Sequence, residues 1–304
     1  MRTIEKLRQE YQALPKRYYH LCTDGWKEGV LFGSDQQFAA GVTSIAMSTL
    51  KYDIVVYAYV LMPNHIHLLL SGTGKDCVSV FDYMMRRCAL ILKHDDDPPL
   101  PKGYGFKLIP IDSQESFRSH LLYLARNPYE KGYGIPGSYP WGSDYLLYNP
   151  LGSMLRGERA GSMSYRRVSC ITGCADRLPP DWEIHMEFGI LPKNFVPSDK
   201  ARSLFPSPKA YISRLVKDYE ALLHISGALE EGMEWSEAEL DDIFYSTLRN
   251  RFPGKTALTL DMKEKYQLAT FLSNKYGLTV KQLAPRLRLG EYALSQALNA
   301  KERW

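Results

Sequence analysis

The stretch YAYVLMPNHIHLLLSG, residues 57–72, narrows the choice of fold more than any other part of this 304-residue chain. It belongs to two adjoining strand signals. The first, DIVVYAYVLM (53–62), is β-branched and aromatic. Pro63-Asn64 interrupts it as a turn or bulge signal. HIHLLLSG (65–72) then resumes as a second strand. The flanking segments fix what surrounds this pair. KRYYHLC (16–22) reads as a short strand, and residues 35–52 space Phe38, Val42, Ile45 and Leu50 as a helix does. Residues 75–94 are helical by period and length, 95–103 form a loop, and YGFKLIPI (104–111) is a strand. Asp112 and Glu115 signal a helix start before SQESFRSHLLYLARN (113–127), which Pro128 is expected to end. The order β-α-β-β-α-β predicts an α+β, ferredoxin-like antiparallel sheet with helices on one face, plus one added helix.

From about 150 to 208 the texture changes to Gly, Pro and Ser, which reads as a partly ordered connector over 151–207. Residues 208–304 form a mostly α-helical C-terminal domain, with helices expected at 208–226, 236–250, 261–276, 279–288 and 291–300. From Arg249 to Trp304 there are eleven Lys/Arg against four Asp/Glu, after an acidic cluster at 230–242. That surplus suits a nucleic-acid face or a solvated helical surface. The segment 276–300 is a candidate helix-turn-helix: Thr279 caps the first helix with Gln282 reaching back, and Leu289-Gly290 makes the turn. Pro285 inside the first helix should kink it.

Composition sets the outer limits. Hydrophobic content of 45% and charged content of 24% are globular values, and the net charge of +4 suits an acidic partner without requiring one. The N-terminus has no apolar core of a signal peptide, and the longest apolar run is far short of a membrane span, so a cytoplasmic protein is expected. The five cysteines contain no C-x-x-C pair, and reduced thiols are expected.

Residues two apart on a strand share a face, so His65 and His67 point the same way. Two adjacent imidazoles suit one divalent metal. In the helix 113–127, Phe117, Leu121 and Leu124 form one stripe and Ser116, His120, Tyr123 and Asn127 another beside it. The second stripe is expected at the edge where helix meets sheet. The Asn127 amide oxygen can complete a site with the two histidines, with Tyr123 next to it; equally, Asn127 is a helix cap and Tyr123 an ordinary amphipathic tyrosine.

In this setting YAYVLMPNHIHLLLSG resembles the His-hydrophobic-His (HUH) motif of single-tyrosine DNA transposases. LLYLARNPYEKGYG resembles their catalytic helix, above all in the REP-associated tyrosine transposase branch. YPWGSDYLLY (139–148) and the segment from Tyr18 to Val42 are similar to its other conserved stretches, and the resemblance covers residues 15–150. It implies a transposase domain over 1–150 in which His65, His67 and Asn127 bind Mg²⁺ or Mn²⁺, Tyr123 is the nucleophile, and the helix 113–127 is catalytic. His120 is either auxiliary, by orienting phosphate or relaying a proton, or a peripheral polar residue. Arg86, Arg87, Lys102, Lys107, Arg118 and Arg126 are candidate phosphate contacts or equally plain surface charges. The implied reaction cuts and rejoins single-stranded, hairpin-forming DNA through a 5′-phosphotyrosine, in a monomer or homodimer that is nucleoid-associated.

Two other readings stand beside it. One is a domesticated DNA- or RNA-binding protein that keeps the fold without cleavage; RNA-recognition sheets, however, need exposed aromatics where 65–70 offers histidines and leucines. The other is a metallohydrolase or histidine-triad hydrolase. The triad would want a histidine at position 69, which is Leu69.

Overall fold

The computed structural model describes residues 4–23, 30–95, 100, 105–131, 133, 137–149, 155–217, 225, 235 and 237–299. They fall into two compact units, Met1–Glu231 and Gly232–Trp304. The first is α+β. Its elements run α1 (Ile4–Gln12), β1 (Arg17–Thr23), α2 (Asp35–Lys51), β2 (Val55–Met62), β3 (His65–Gly72), α3 (Gly74–His94), β4 (Phe106–Ile111) and α4 (Gln114–Glu130). The four strands form one antiparallel sheet in the order β2-β3-β1-β4.

Register decides which side chains share a face. Cys22 lies opposite both His67 and Lys107, Val60 opposite His67, and Met62 opposite His65. Leu21, Leu61, Ile66, Leu68 and Leu70 therefore form the other face, and all are buried. That face meets α2 and α3: Phe81 of α3 stacks on Phe106 at 4.1 Å, and a Cβ on Gly41 of α2 would come within 2.8 Å of Leu61. Helix α1 was not anticipated. It packs beside α3 so closely that a Cβ on Gly74 would sit 1.8 Å from the Tyr11 carbonyl.

The histidine face is covered by α4, with Phe117 edge-on to Tyr18 at 5.3 Å and Tyr123 edge-on to His67 at 5.7 Å. So α2 and α3 share one face, as the sequence suggested, and the added helix α4 covers the other. Two details of α4 also differ from expectation. Ser113, not Asp112, is the N-cap, and its side chain accepts from the Ser116 N–H at 3.0 Å. Pro128 does not end the helix, which runs on to Glu130. Proline removes only the bond to the Leu124 carbonyl. The residues around it, Phe117 and 119–128, are buried, so packing outweighs that loss.

The stretch expected to be a connector packs on this unit from both sides: Gly173 and Gly189 lie against α3 and α2, and only its end, at Leu204, reaches α4. Its described part, 155–207, is built of short elements: β5 (Glu158–Arg159), α6 (Tyr165–Thr172, after α5, Tyr145–Tyr148), β6 (Glu183–His185), β7 (Gly189–Ile190) and α7 (Ser198–Ser203). The strands pair antiparallel in the order β5-β6-β7. Ala160, Val168 and Ile184 make a small core of their own. Helix α8 (Pro208–Lys217) follows in the same unit. Arg118 donates to the Leu204 carbonyl at 3.1 Å and Arg126 to the Leu215 carbonyl at 3.0 Å, which fastens α4 to this layer.

In the second unit, α9 (Glu237–Arg251), α10 (Met262–Tyr276), α11 (Val280–Leu287) and α12 (Glu291–Asn299) pack on Leu240, Phe244, Leu268, Leu272, Leu283, Leu287 and Leu294. Capping boxes start α10 (Asp261/Glu264) and α11 (Thr279/Gln282). Helix α11 ends two residues after Pro285 in a left-handed Arg288, whose N–H reaches the Pro285 carbonyl while the Leu289 N–H reaches that of Ala284. This is a Schellman stop with arginine at the position glycine prefers. Among the described residues, no helix is long and apolar enough to cross a membrane.

Candidate functional site

Strand alternation and one helical turn assemble the site. His65 and His67 project from β3 toward α4, with ring centroids 4.8 Å apart. Across from them, Tyr123 and Asn127 lie one turn apart on the sheet-facing side of α4. His65 Nε2 is 3.1 Å from Asn127 Oδ1. The Asn127 amide donates from Nδ2 to the Tyr123 carbonyl at 3.3 Å, which turns Oδ1 toward the histidine. On its other side, His65 Nδ1 is 2.6 Å from Asn64 Oδ1. A neutral His65 that donates from Nδ1 to Asn64 keeps its Nε2 lone pair, and that lone pair then faces the Asn127 oxygen. In that tautomer the two acceptors, 3.1 Å apart, have the spacing of an edge of a metal site. An octahedral ion with ligand bonds of about 2.1 Å separates neighbouring ligands by roughly 3 Å.

Tyr123 is buried, with its ring against both His67 (5.7 Å) and His20 (6.0 Å). His120, a turn earlier, lies edge-on to His20 at 5.2 Å, and its Nδ1 is 2.8 Å from the Ser116 carbonyl. A proton on Nδ1 makes that bond and leaves Nε2 as the basic nitrogen.

The sequence reading passed over two residues here, His20 and Cys22. Both sit on β1 beside β3, fully enclosed. His20 Nε2 is 3.1 Å from His67 Nδ1, and one ligand atom from each of His20, Cys22 and His67 lies within 4.8 Å of the others. The signal was present: His20-Leu21-Cys22 repeats the i, i+2 spacing of His65 and His67 on a recognised strand. It was invisible without the pairing that sets Cys22 opposite His67.

Burial controls the charge state. It pushes the His67 imidazole down to about 3. It holds His20 well below the ordinary histidine range, helped by the neighbouring His67 and His120. Both rings are neutral at pH 7, which is the form that ligates metal.

The six expected phosphate contacts scatter. Arg86 is exposed on α3, and Arg87 beside it donates to the Gly173 carbonyl at 2.8 Å. Lys107 is half-buried on β4, on the same face as Cys22. Arg118 is mostly covered and paired with Glu115. Arg126 does not fit a phosphate contact: it is completely buried, paired with Glu130 and bonded to Leu215. The layer that covers α4 has taken it out of solvent's reach. Lys102 lies outside the described residues.

No family model and no curated protein matches this chain. One solved structure, described as a REP-associated tyrosine transposase bound to a REP hairpin, aligns over 56% of this chain and 86% of its own. The identity is 14% and the TM-score 0.36.

Proposed function

We propose that the first unit is a metal-dependent DNA strand transferase of the HUH single-tyrosine kind, built on a ferredoxin-like sheet, that cleaves and rejoins single-stranded, hairpin-forming DNA. The observation that carries it is the approach of His65 Nε2 to Asn127 Oδ1 at 3.1 Å, one helical turn from Tyr123. Residues of three kinds, far apart in sequence, converge there in the arrangement this chemistry needs.

His65, His67 and Asn127 offer two neutral nitrogens and an amide oxygen, a donor set that suits Mn²⁺ or Mg²⁺. The bound ion would supply positive charge against the scissile phosphate. Everything else falls to the chain's own groups. Asn64 fixes the His65 tautomer, and the Tyr123 carbonyl fixes the Asn127 rotamer. Tyr123 attacks phosphorus through its phenolic oxygen. Its P–O bond forms as the bond to the 3′ oxygen breaks, giving a 5′-phosphotyrosine and a free 3′-OH. The phenol proton passes to solvent or through the His120 Nε2. Ester exchange conserves the bond, so a 3′-OH can reverse it without ATP.

The test is a 3′-labelled hairpin oligonucleotide incubated with protein and Mn²⁺, then run on a denaturing gel. Wild type should retain label in a protein-sized band, and Tyr123→Phe should lose that band while still binding. An adduct in the Phe variant would remove Tyr123 from the mechanism.

One observation favours a second reading, a DNA- or RNA-binding protein that keeps this fold without cleavage. His67 is fully enclosed, and Tyr123 and Asn127 keep only 4% and 7% of their surface. On that reading, calorimetric titration with Mn²⁺ finds no site that depends on His65 and His67, and wild type forms no adduct.

A further inference from the structure

Three polar groups sit where the sheet should be apolar. His20, Cys22 and His67 are at most 1% exposed, and they occupy the central strands β1 and β3. His20 Nδ1 makes no hydrogen bond among the described residues, and its Nε2 meets only another imidazole. Such a ring costs stability unless something is gained from it. We propose that His20, Cys22 and His67 form a second metal site, selective for a thiolate-seeking ion of the Zn²⁺ class, which shares His67 with the catalytic centre.

The donor set separates this site from the one at Asn127. A thiolate with two imidazoles is a soft to borderline set that selects Zn²⁺ or Co²⁺ over Mg²⁺, whereas His65 and Asn127 add only nitrogen and oxygen. The spacing is suitable. A tetrahedral ion with bonds of about 2.0 Å to nitrogen and about 2.3 Å to sulfur holds its ligand atoms roughly 3.3–3.6 Å apart. His20 Nε2 and His67 Nδ1 are already at 3.1 Å, and all three ligand atoms lie within 4.8 Å. Loading would close the remaining distance to the Cys22 sulfur. The backbone is prepared as well: Cys22 and His67 are cross-strand partners, and His20 is two residues along the same strand.

Protons set the consequence. On loading, Cys22 releases its thiol proton to solvent. His67, ligating through Nδ1, must carry its one ring proton on Nε2. That nitrogen then has no lone pair for a second ion. A thiolate-bound ion on β1 and β3 therefore excludes a hard ion from His65, His67 and Asn127, and Zn²⁺ switches the strand-transfer site off. This exclusion rests on the function proposed above, while the site itself does not.

The experiment is a Co²⁺ titration of the full-length, chelator-treated protein, read by optical absorption. The site predicts a thiolate-to-cobalt charge-transfer band in the near ultraviolet, together with the intense visible bands of tetrahedral cobalt. Cys22→Ser should abolish the charge-transfer band. His20→Ala should weaken binding roughly a hundredfold. Cys170→Ser, Cys174→Ser and His65→Ala should leave the spectrum intact. A band that survives Cys22→Ser, or that disappears in His65→Ala or in either other cysteine variant, overturns the proposal, as does the absence of any band. X-ray absorption on the Zn²⁺-loaded wild type needs no variant: one sulfur neighbour supports the site and an all-nitrogen-and-oxygen shell refutes it. Because Tyr123 takes no part in these readouts, the site stands or falls separately from the adduct assay.

Discussion

The His67 imidazole should make this protein less stable in mildly acidic solution, and the size of the effect follows from its burial. The imidazole is pushed down to about 3 in the fold, while the unfolded chain titrates near ~6.5. The unfolded state therefore binds more protons, so stability is full above the unfolded value and falls as pH drops below it. Between pH 8 and pH 5 the unfolded imidazole becomes almost fully protonated and the folded one stays neutral. One group then contributes about 2 kcal/mol of lost stability, at about 1.4 kcal/mol for each pH unit below the unfolded value. His20, held down by burial and by its two histidine neighbours, acts in the same direction. The perturbation is His67→Gln, which keeps a polar side chain and removes the titration. The assay is urea unfolding at pH 8 and pH 5 with a chelator present, read by tryptophan fluorescence. Carboxylates titrate in both proteins and cancel in the difference. Wild type should lose about 2 kcal/mol more than His67→Gln over this range. Equal losses would show that His67 is not a ring held neutral, and would remove the electrostatic basis for treating it as a ready ligand.

Three further outcomes test the packing. Arg126→Met strands the buried Glu130 carboxylate and should cost about 3–5 kcal/mol in chemical denaturation; adding Glu130→Gln should recover most of it. Arg288→Gly should stabilise the C-terminal unit by about 1 kcal/mol in thermal melts, because glycine relieves the left-handed strain at φ 52°. Gly74→Ala places a methyl 1.8 Å from the Tyr11 carbonyl, so α1 must move away; a loss of about 2 kcal/mol is expected, with early hydrogen exchange confined to α1.

The parts of this fold that were legible from sequence are those written in local periodicity. The strand at 65–72 and the helix at 113–127 each carry their own period, and their bounds shift by only a few residues in the structure. His65 and His67 share a face because strand geometry forces it. What stayed hidden depends on partners distant in sequence. Cys22 meets His67 only through the β1–β3 register, so HLC looked like any apolar strand. The 155–207 segment has weak periods because its strands are two or three residues long. Its order comes from packing on α2, α3 and, at Leu204, α4, which the segment's own composition does not announce. For the same reason Arg126 read as a surface cation. On an isolated helix it would be one, but Leu215, almost ninety residues later, supplies the carbonyl that draws it inside. Pro128 misled in the same way: the local rule against helical proline is right, and the tertiary packing around it is stronger.

That covering layer also bears on how the proposed site would work. Each candidate ligand is oriented by its own neighbour: His65 by Asn64, Asn127 by the Tyr123 carbonyl, His67 by His20. None of these bonds needs a metal or DNA, so little ordering entropy remains to be lost on binding. The cost falls on access instead. His65 and Asn127 keep 7% of their surface each, and His67 keeps none. On the proposed function, a strand of DNA would enter at the His65–Asn127 end, and phosphate would reach Tyr123 only with a movement of α4 relative to β3. Opening would then limit association, with chemistry following it. A variant that loosens the outer layer without touching the site, such as Arg214→Ala, which removes the 2.9 Å pair with Glu115 of α4, should speed adduct formation at subsaturating DNA and leave the single-turnover rate at saturation unchanged. A slower rate in both regimes would mean that the layer positions Tyr123 and does not gate it.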